Sequence, residues 1–230
     1  MSADFPVISR PLQSFTPGAL VLDMDGLMVD SEPLWFEVEH DFAHARGHHW
    51  TEAHAQQCVG RGLAAVILTM GETFGFAVDV HRDTGALVSS FIARVAQLAL
   101  KPGCLALLDA AAGKLPIAVA SSSPLRLIQA VLDRFALTPR FDAVISGESV
   151  AHPKPAPDIF LHTARTLGVA PERCAVFEDS FAGVSAGRAA GMFVIAVPEG
   201  PPAGRGFEAV ADVIVSDLFE ARSRLSIEAL

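Results

Sequence analysis

The chain has 230 residues, 51% of them hydrophobic and 19% charged, which suits one large domain or a domain carrying a smaller insertion and excludes a disordered chain. A formal charge of −9 argues against a nucleic-acid partner, whose phosphates are met by clustered Lys and Arg, while leaving a small phosphorylated molecule open. No apolar run reaches the roughly 18 uncharged residues that span a bilayer, and the start MSADFPVISRPLQSFTPGAL lacks a basic segment followed by an apolar one, so a cytoplasmic protein with no membrane partner is expected.

Residues 1–18, with Pro6, Pro11, Pro17 and Gly18, read as an extended lead-in. Ala19–Leu22 is a short continuous apolar run, the mark of a strand buried on both faces of a parallel sheet. The stretch from Pro33 to Leu100 has helical patterns over Leu34–Ala45, Ala64–Phe74 and Leu87–Leu100 and no buried strand. After Pro102-Gly103, apolar runs return at Ile117–Ala120, Ala143–Ile145, Cys174–Phe177, Phe193–Val197 and Val213–Val215. Helical patterns at Leu105–Ala112, Leu125–Phe135, Ile159–Leu167 and Ala182–Ala190 alternate with them. This alternation predicts an α/β fold with a doubly wound parallel sheet, formed by residues 19–32 and 101–230, and an α-helical insertion over 33–100. Ligands of such sheets sit at the carboxyl ends of the strands. Cys58, Cys104 and Cys174 form no CxxC pair and are expected as reduced, mostly buried thiols.

The first strand runs into Asp23-Met24-Asp25-Gly26, and the strand at 174–177 runs into Glu178-Asp179. If the two strands are central and adjacent, three or four carboxylates converge, and such a cluster calls for a hard divalent cation. Oxygen-only ligation selects magnesium, with Asp23, Asp25, Glu178 and Asp179 as the candidate metal residues. Ala120-Ser121-Ser122-Ser123-Pro124 leaves a strand and opens a helix, where hydroxyls and free N–H groups hold phosphate oxygens. Within that tract Ser121 and Ser122 are phosphate candidates, Ser123 reads as a plain helix cap, and Pro124 suits a first helical position. Lys154, one of three lysines with Lys101 and Lys114, is framed by prolines in His152-Pro153-Lys154-Pro155, which fixes where its ammonium points.

These four pieces, in this order, resemble the motifs of the haloacid dehalogenase superfamily: DMDGLMVDSEPLW, Ser121, Lys154 in PKPAPD, and FEDSFAGVSAGRAAGM. The helical insertion after the first motif resembles the cap of the subfamily that holds β-phosphoglucomutase and small sugar phosphatases, and DSEPLW looks like the deoxyglucose-phosphate phosphatases. The resemblance implies a Rossmann-like core and a phosphatase acting on a small-molecule phosphate ester. It implies that Asp23 attacks phosphorus to form an aspartyl-phosphate, and that Asp25 serves as acid and then base. Asp23, the Asp25 backbone carbonyl and Asp179 would hold magnesium, with Glu178 acting directly or through water, while Ser121 and Lys154 neutralise the phosphoryl oxygens.

Within the family, dehalogenases lack the second Asp, and phosphonoacetaldehyde hydrolases need a cap lysine, whereas no lysine lies between Pro33 and Leu100. A phosphomutase needs a His where Trp35 stands and a cap lysine as well, so water is the expected acceptor. A non-catalytic binding protein on the same fold is the reading from a different class, and every catalytic position is filled. Arg61, in Cys58-Val59-Gly60-Arg61-Gly62, is a candidate substrate contact or else a surface arginine beside a turn. Trp35 lines the pocket or packs at the hinge. His40, His44, His48 and His49 lack the glutamate of an HExxH site and read as a polar face of the cap. Phe15, Phe42, Phe74, Phe76 and Phe91 read as core. Whether the chain is a monomer or a dimer is not legible in these residues.

Overall fold

The computed structural model describes residues 15–58, 62–200 and 206–225. It divides into two compact units, one made of the chain up to Asp30 together with Leu100 onward, the other of Ser31–Ala99. In chain order the elements are β1 (Ala19–Leu22), α1 (Glu32–His44), α2 (Glu52–Gln56), α3 (Gly62–Phe74), α4 (Val80–Ala93), α5 (Cys104–Ala111), β2 (Ile117–Ser121), α6 (Leu125–Arg134), β3 (Ala143–Ser146), α7 (Asp158–Leu167), β4 (Cys174–Glu178), α8 (Phe181–Ala189), β5 (Phe193–Ala196), β6 (Val213–Ile214) and α9 (Leu218–Arg224).

In the larger unit the six strands form one parallel sheet in the order β3-β2-β1-β4-β5-β6. This is the doubly wound α/β arrangement expected from the alternating runs. Every residue of β1, β2, β4 and β5 is buried, which explains why these strands read as unbroken apolar runs instead of alternating ones. β1 lies between β2 and β4, with Leu22 level with Val119 on one side and Phe177 on the other. The order in which strands are added reverses at β1, so the tips of β1, β2 and β4 meet at the switch point of the sheet, where ligands of such folds bind. On one side of β1, Val21 and Val176 join Ile159, Phe160 and Ala186 in a buried cluster. Asp212 fastens β5, its carboxylate accepting from the Val194 N–H at 2.9 Å and from Arg188 at 3.0 Å. Cys58, Cys104 and Cys174 are buried free thiols.

The smaller unit is helical. Its buried residues include Trp50 and Phe91, both without solvent exposure, together with Leu34, Val38, Ile67 and Met70. Two expectations need correction here. The third helical pattern runs over Val80–Ala93, followed by a 3-10 turn at Val95–Gln97, and not over 87–100. The Asp79 side chain accepts the Arg82 N–H and starts this helix. Of the phenylalanines assigned to the core only Phe91 is fully buried; Phe42, Phe74, Phe76 and, in the larger unit, Phe15 are half-buried. Phe42 and Phe76 instead carry the Arg46 guanidinium, 3.5 and 5.6 Å from their ring centres. Among the described residues no helix is long and apolar enough to cross a membrane.

Candidate active site

The backbone after β1 turns sharply. Gly26, at φ +76°, donates its N–H to Val29, and Met28 donates to Met24. Met24, Leu27, Met28 and Val29 are driven into the core while Asp23 and Asp25 stay at the strand tip. The Asp23 N–H donates to the Phe177 carbonyl at 3.1 Å, the last rung between β1 and β4, so Asp23 stands beside Glu178. Asp23, Glu178 and Asp179 each offer an oxygen within 4.8 Å of the others. The loop ahead of α7 brings in Lys154, whose Nζ donates to Asp23 Oδ1 and to Glu178 Oε1, both at 2.5 Å, and to the Ala120 carbonyl at 3.1 Å. Its side chain is 6% exposed.

One ammonium does not balance this many carboxylates. Burial pushes the Asp23 carboxyl up to about 8; Lys154 pulls it down, and Glu178 and Asp25 push it further up. Burial and the charges of Glu178 and Asp23 likewise raise Asp179 well above the ordinary carboxylate range. Burial by itself would lower Lys154, but Asp23 and Glu178 outweigh it, and its pKa ends above the usual lysine value. Burial and crowding thus push these carboxyls toward their protonated forms, and a divalent cation in place of the protons would relieve it; three hard oxygen donors this close together fit such an ion. Two glycines make room for it. A β-carbon at Gly26 would overlap Asp179 Oδ2, and one at Gly183 would overlap the Glu178 carboxylate. Ser180 fixes the other Glu178 oxygen, donating from its hydroxyl to Oε2 at 3.0 Å, and caps α8 by accepting the Gly183 N–H.

Asp25 lies outside this group of three carboxylates. Its Oδ2 accepts from Ser123 Oγ at 2.7 Å and, at 3.4 Å, from Ser121 Oγ. Ser123 was expected as a helix cap, and it is not one. Pro124 holds the N-cap position of α6, and the free Leu125 N–H is taken by Glu148 Oε2 at 2.9 Å. A hydroxyl just ahead of a helix looks like a cap in sequence, and nothing local signals that a distant glutamate takes that role. Ser122 is exposed, and its carbonyl lies 3.0 Å from where a side chain at Gly147 would begin.

The structure thus brings Asp23, Asp25, Ser121, Lys154, Glu178 and Asp179 to one end of the sheet. Trp35 belongs to the helical unit, where its ring lies 4.2 Å from that of Phe91. Arg61 lies outside the described residues. His40 contacts the rings of His44 and His49 at 6.0 and 5.7 Å, while His48 stacks on Phe74 and Phe76. Among the described residues only Asp23, Glu178 and Asp179 form a group of three metal-ligating side chains, so the histidines do not converge on an ion.

Comparison with known proteins identifies relatives over most of the chain. The chain is 32% identical over 192 residues to the fructose-1-phosphate phosphatase YqaB of Escherichia coli, covering 77% of this chain and 95% of that protein. It is 31% identical over 224 residues to hexitol phosphatase B of Escherichia coli, covering 90% and 95%. The crystal structure of CbbY from Rhodobacter sphaeroides in complex with phosphate superimposes with a TM-score of 0.80 at 26% identity, over 89% of this chain and 96% of that one. The model of the haloacid dehalogenase-like hydrolases matches residues 17–191. With the doubly wound sheet and the acidic crevice at its switch point, this places the chain in the haloacid dehalogenase-like hydrolase family.

Proposed function

We propose that this protein is a magnesium-dependent phosphatase of small phosphorylated carbohydrates that works through an aspartyl-phosphate on Asp23. The observation that carries the reading is the placement of Asp23 at the tip of the central strand, buried, with Lys154 on one oxygen and two further carboxylates beside it. Asp23 and Asp179, with the Asp25 backbone carbonyl, would hold the ion, and Glu178 would act directly or through water. Magnesium supplies charge neutralisation around the transferring phosphoryl group.

The residues of the chain then divide the work. An Asp23 carboxylate oxygen forms a bond to phosphorus as the bond from phosphorus to the sugar oxygen breaks, and Asp25 gives its proton to that oxygen. Asp25 next takes a proton from the water that attacks phosphorus, which frees phosphate and restores Asp23. Ser121 and Lys154 face the non-bridging oxygens and lower the barrier electrostatically. Trp35, packed on Phe91, carries no acid or base for returning the phosphoryl group to a sugar, which supports water as the acceptor. The fructose-1-phosphate and hexitol phosphatases among the relatives support a carbohydrate ester as substrate.

The test is phosphate release from a panel of sugar phosphates and nucleotides, with and without magnesium, by the wild type and by Asp23→Asn. Magnesium-dependent release, strongest with sugar phosphates and absent in the variant, is expected. A folded wild type that releases phosphate from none of them overturns the reading.

A further inference from the structure

An anion of the chain itself occupies the start of α6. The Leu125 N–H, at the first turn of that helix, donates to Glu148 Oε2 at 2.9 Å. Glu148 reaches it from the turn that follows the neighbouring strand β3. That turn is fastened to the loop after β2. The Glu148 N–H donates to Ser146 Oγ at 3.1 Å, and the same hydroxyl donates to the Ser123 carbonyl at 2.7 Å. Ser149 Oγ donates to the Ser146 carbonyl at 2.6 Å. A β-carbon at Gly147 would come within 3.0 Å of the Ser122 carbonyl oxygen, so the two loops are in close contact. The carboxylate is thereby held at a helix N-terminus, where the aligned peptide dipoles favour negative charge. Glu148 is exposed, so its charge is open to an incoming ligand. It also stands near the reacting end of the sheet. Ser123, whose hydroxyl donates to Asp25 Oδ2 at 2.7 Å, is separated from Leu125 by a stretch of backbone that spans at most about 7 Å.

We propose that Glu148 is a specificity-determining residue that rejects phosphate esters carrying a second negative charge. This rests on the phosphatase reading above and deepens it by naming the substrate class: monoesters of uncharged sugars and sugar alcohols, as against bisphosphates and phosphorylated sugar acids. With the phosphate of the ester at Asp23, the far end of the sugar lies toward the loops after β2 and β3. A hydroxyl there is accepted beside a carboxylate. A second phosphate or a carboxylate meets like charge, and the helix end that would have balanced it is already filled. The discrimination acts on the bound ester and on its transition state together, so it is read in kcat/KM.

The test compares glucitol 6-phosphate with 6-phosphogluconate, which have the same carbon chain and the same ester and differ by the carboxylate at the far end. The wild type should show the higher kcat/KM on the glucitol ester, and its preference should shrink as salt screens the repulsion. Glu148→Gln keeps an oxygen for the Leu125 N–H and removes the charge. It should raise kcat/KM on 6-phosphogluconate relative to glucitol 6-phosphate about tenfold, and Glu148→Lys should raise the ratio further. Loss of helix capping alone would move both esters together, so the ratio separates the charge from a structural role. A folded Glu148→Gln that leaves the ratio unchanged overturns the proposal. Should the variants fold poorly, the wild type decides: a preference that does not respond to salt overturns it as well. A wild type that releases phosphate from neither ester overturns the phosphatase reading instead.

Discussion

Gly26 faces the Asp179 carboxylate at the mouth of the first loop, in a left-handed conformation at φ +76°, with no room between them for a β-carbon. Gly26→Ala therefore combines two separate faults. The backbone angle costs about 1–2 kcal/mol for an alanine, and the new methyl displaces one of the three clustered acids. Melting should fall by roughly 2–8 °C, while the magnesium concentration giving half-maximal phosphate release should rise well beyond what that loss explains. An unchanged magnesium dependence would show that Asp179 does not hold the ion.

Magnesium should also stabilise the fold itself. An ion that binds the native cluster and not the unfolded chain adds about 2.7 kcal/mol at a hundredfold excess over its dissociation constant. Thermal melts of the wild type in chelator and in magnesium should differ accordingly, and Asp179→Asn should shrink the gap. Identical melts would remove the cation from this reading.

Lys154→Met leaves Asp23 and Glu178 buried without their shared counter-charge. Breaking such a pair on one side costs up to about 3–5 kcal/mol, and activity should fall at least 100-fold with it. The penalty depends on pH. Asp23 is already raised from 3.8 to about 8 with Lys154 present, and loss of the ammonium raises it further. The folded variant then binds a proton that the unfolded chain releases, so its stability falls as pH rises above 3.8. Denaturant melts in chelator should show a larger deficit at pH 8 than at pH 6. Equal deficits would refute this electrostatic account.

Glu39 is buried in the helical unit, where its Oε2 accepts from Trp50 Nε1 at 2.9 Å. Burial pushes its carboxyl up from 4.5 to about 7, the Trp50 hydrogen bond opposes this, and the nearby Glu32 adds to it. A raised carboxyl binds a proton in the folded state between those values, so stability falls as pH climbs through that window and stays lower above it. Glu39→Gln keeps an oxygen for Trp50 and removes the charge. It should gain on the order of 2–3 kcal/mol over the wild type at pH 8 and little at pH 4.5. A gain that does not vary with pH would point to packing instead.

The larger unit was legible because its strands are buried on both faces, and the acids at their ends stand out against an apolar run: Asp23 after Leu22, Glu178 after Phe177. The helical unit was less so. Asp83 is buried, its carboxylate shared by Arg82, Arg46 and the Asp79 N–H. A paired charge on a core face looks like surface in sequence, and so the first turns of α4 were missed. Trp50 went unremarked for a related reason, since its buried partner is a glutamate. Ser123 was misread because the deciding bonds, from Asp25 and Glu148, come from distant parts of the chain.

The strand order has a consequence for how the molecule is made. β1 is the first of the described strands, yet both its neighbours come much later, β2 beginning at Ile117 and β4 at Cys174. Such non-local pairing is slow, because a long loop must close before any contact rewards it. During synthesis Asp23 emerges first, followed by Lys154, and the acids of β4 come last. The strand that carries Asp23 can be clamped on both sides only after β4 has left the ribosome, so the acidic group of a nascent chain is completed late.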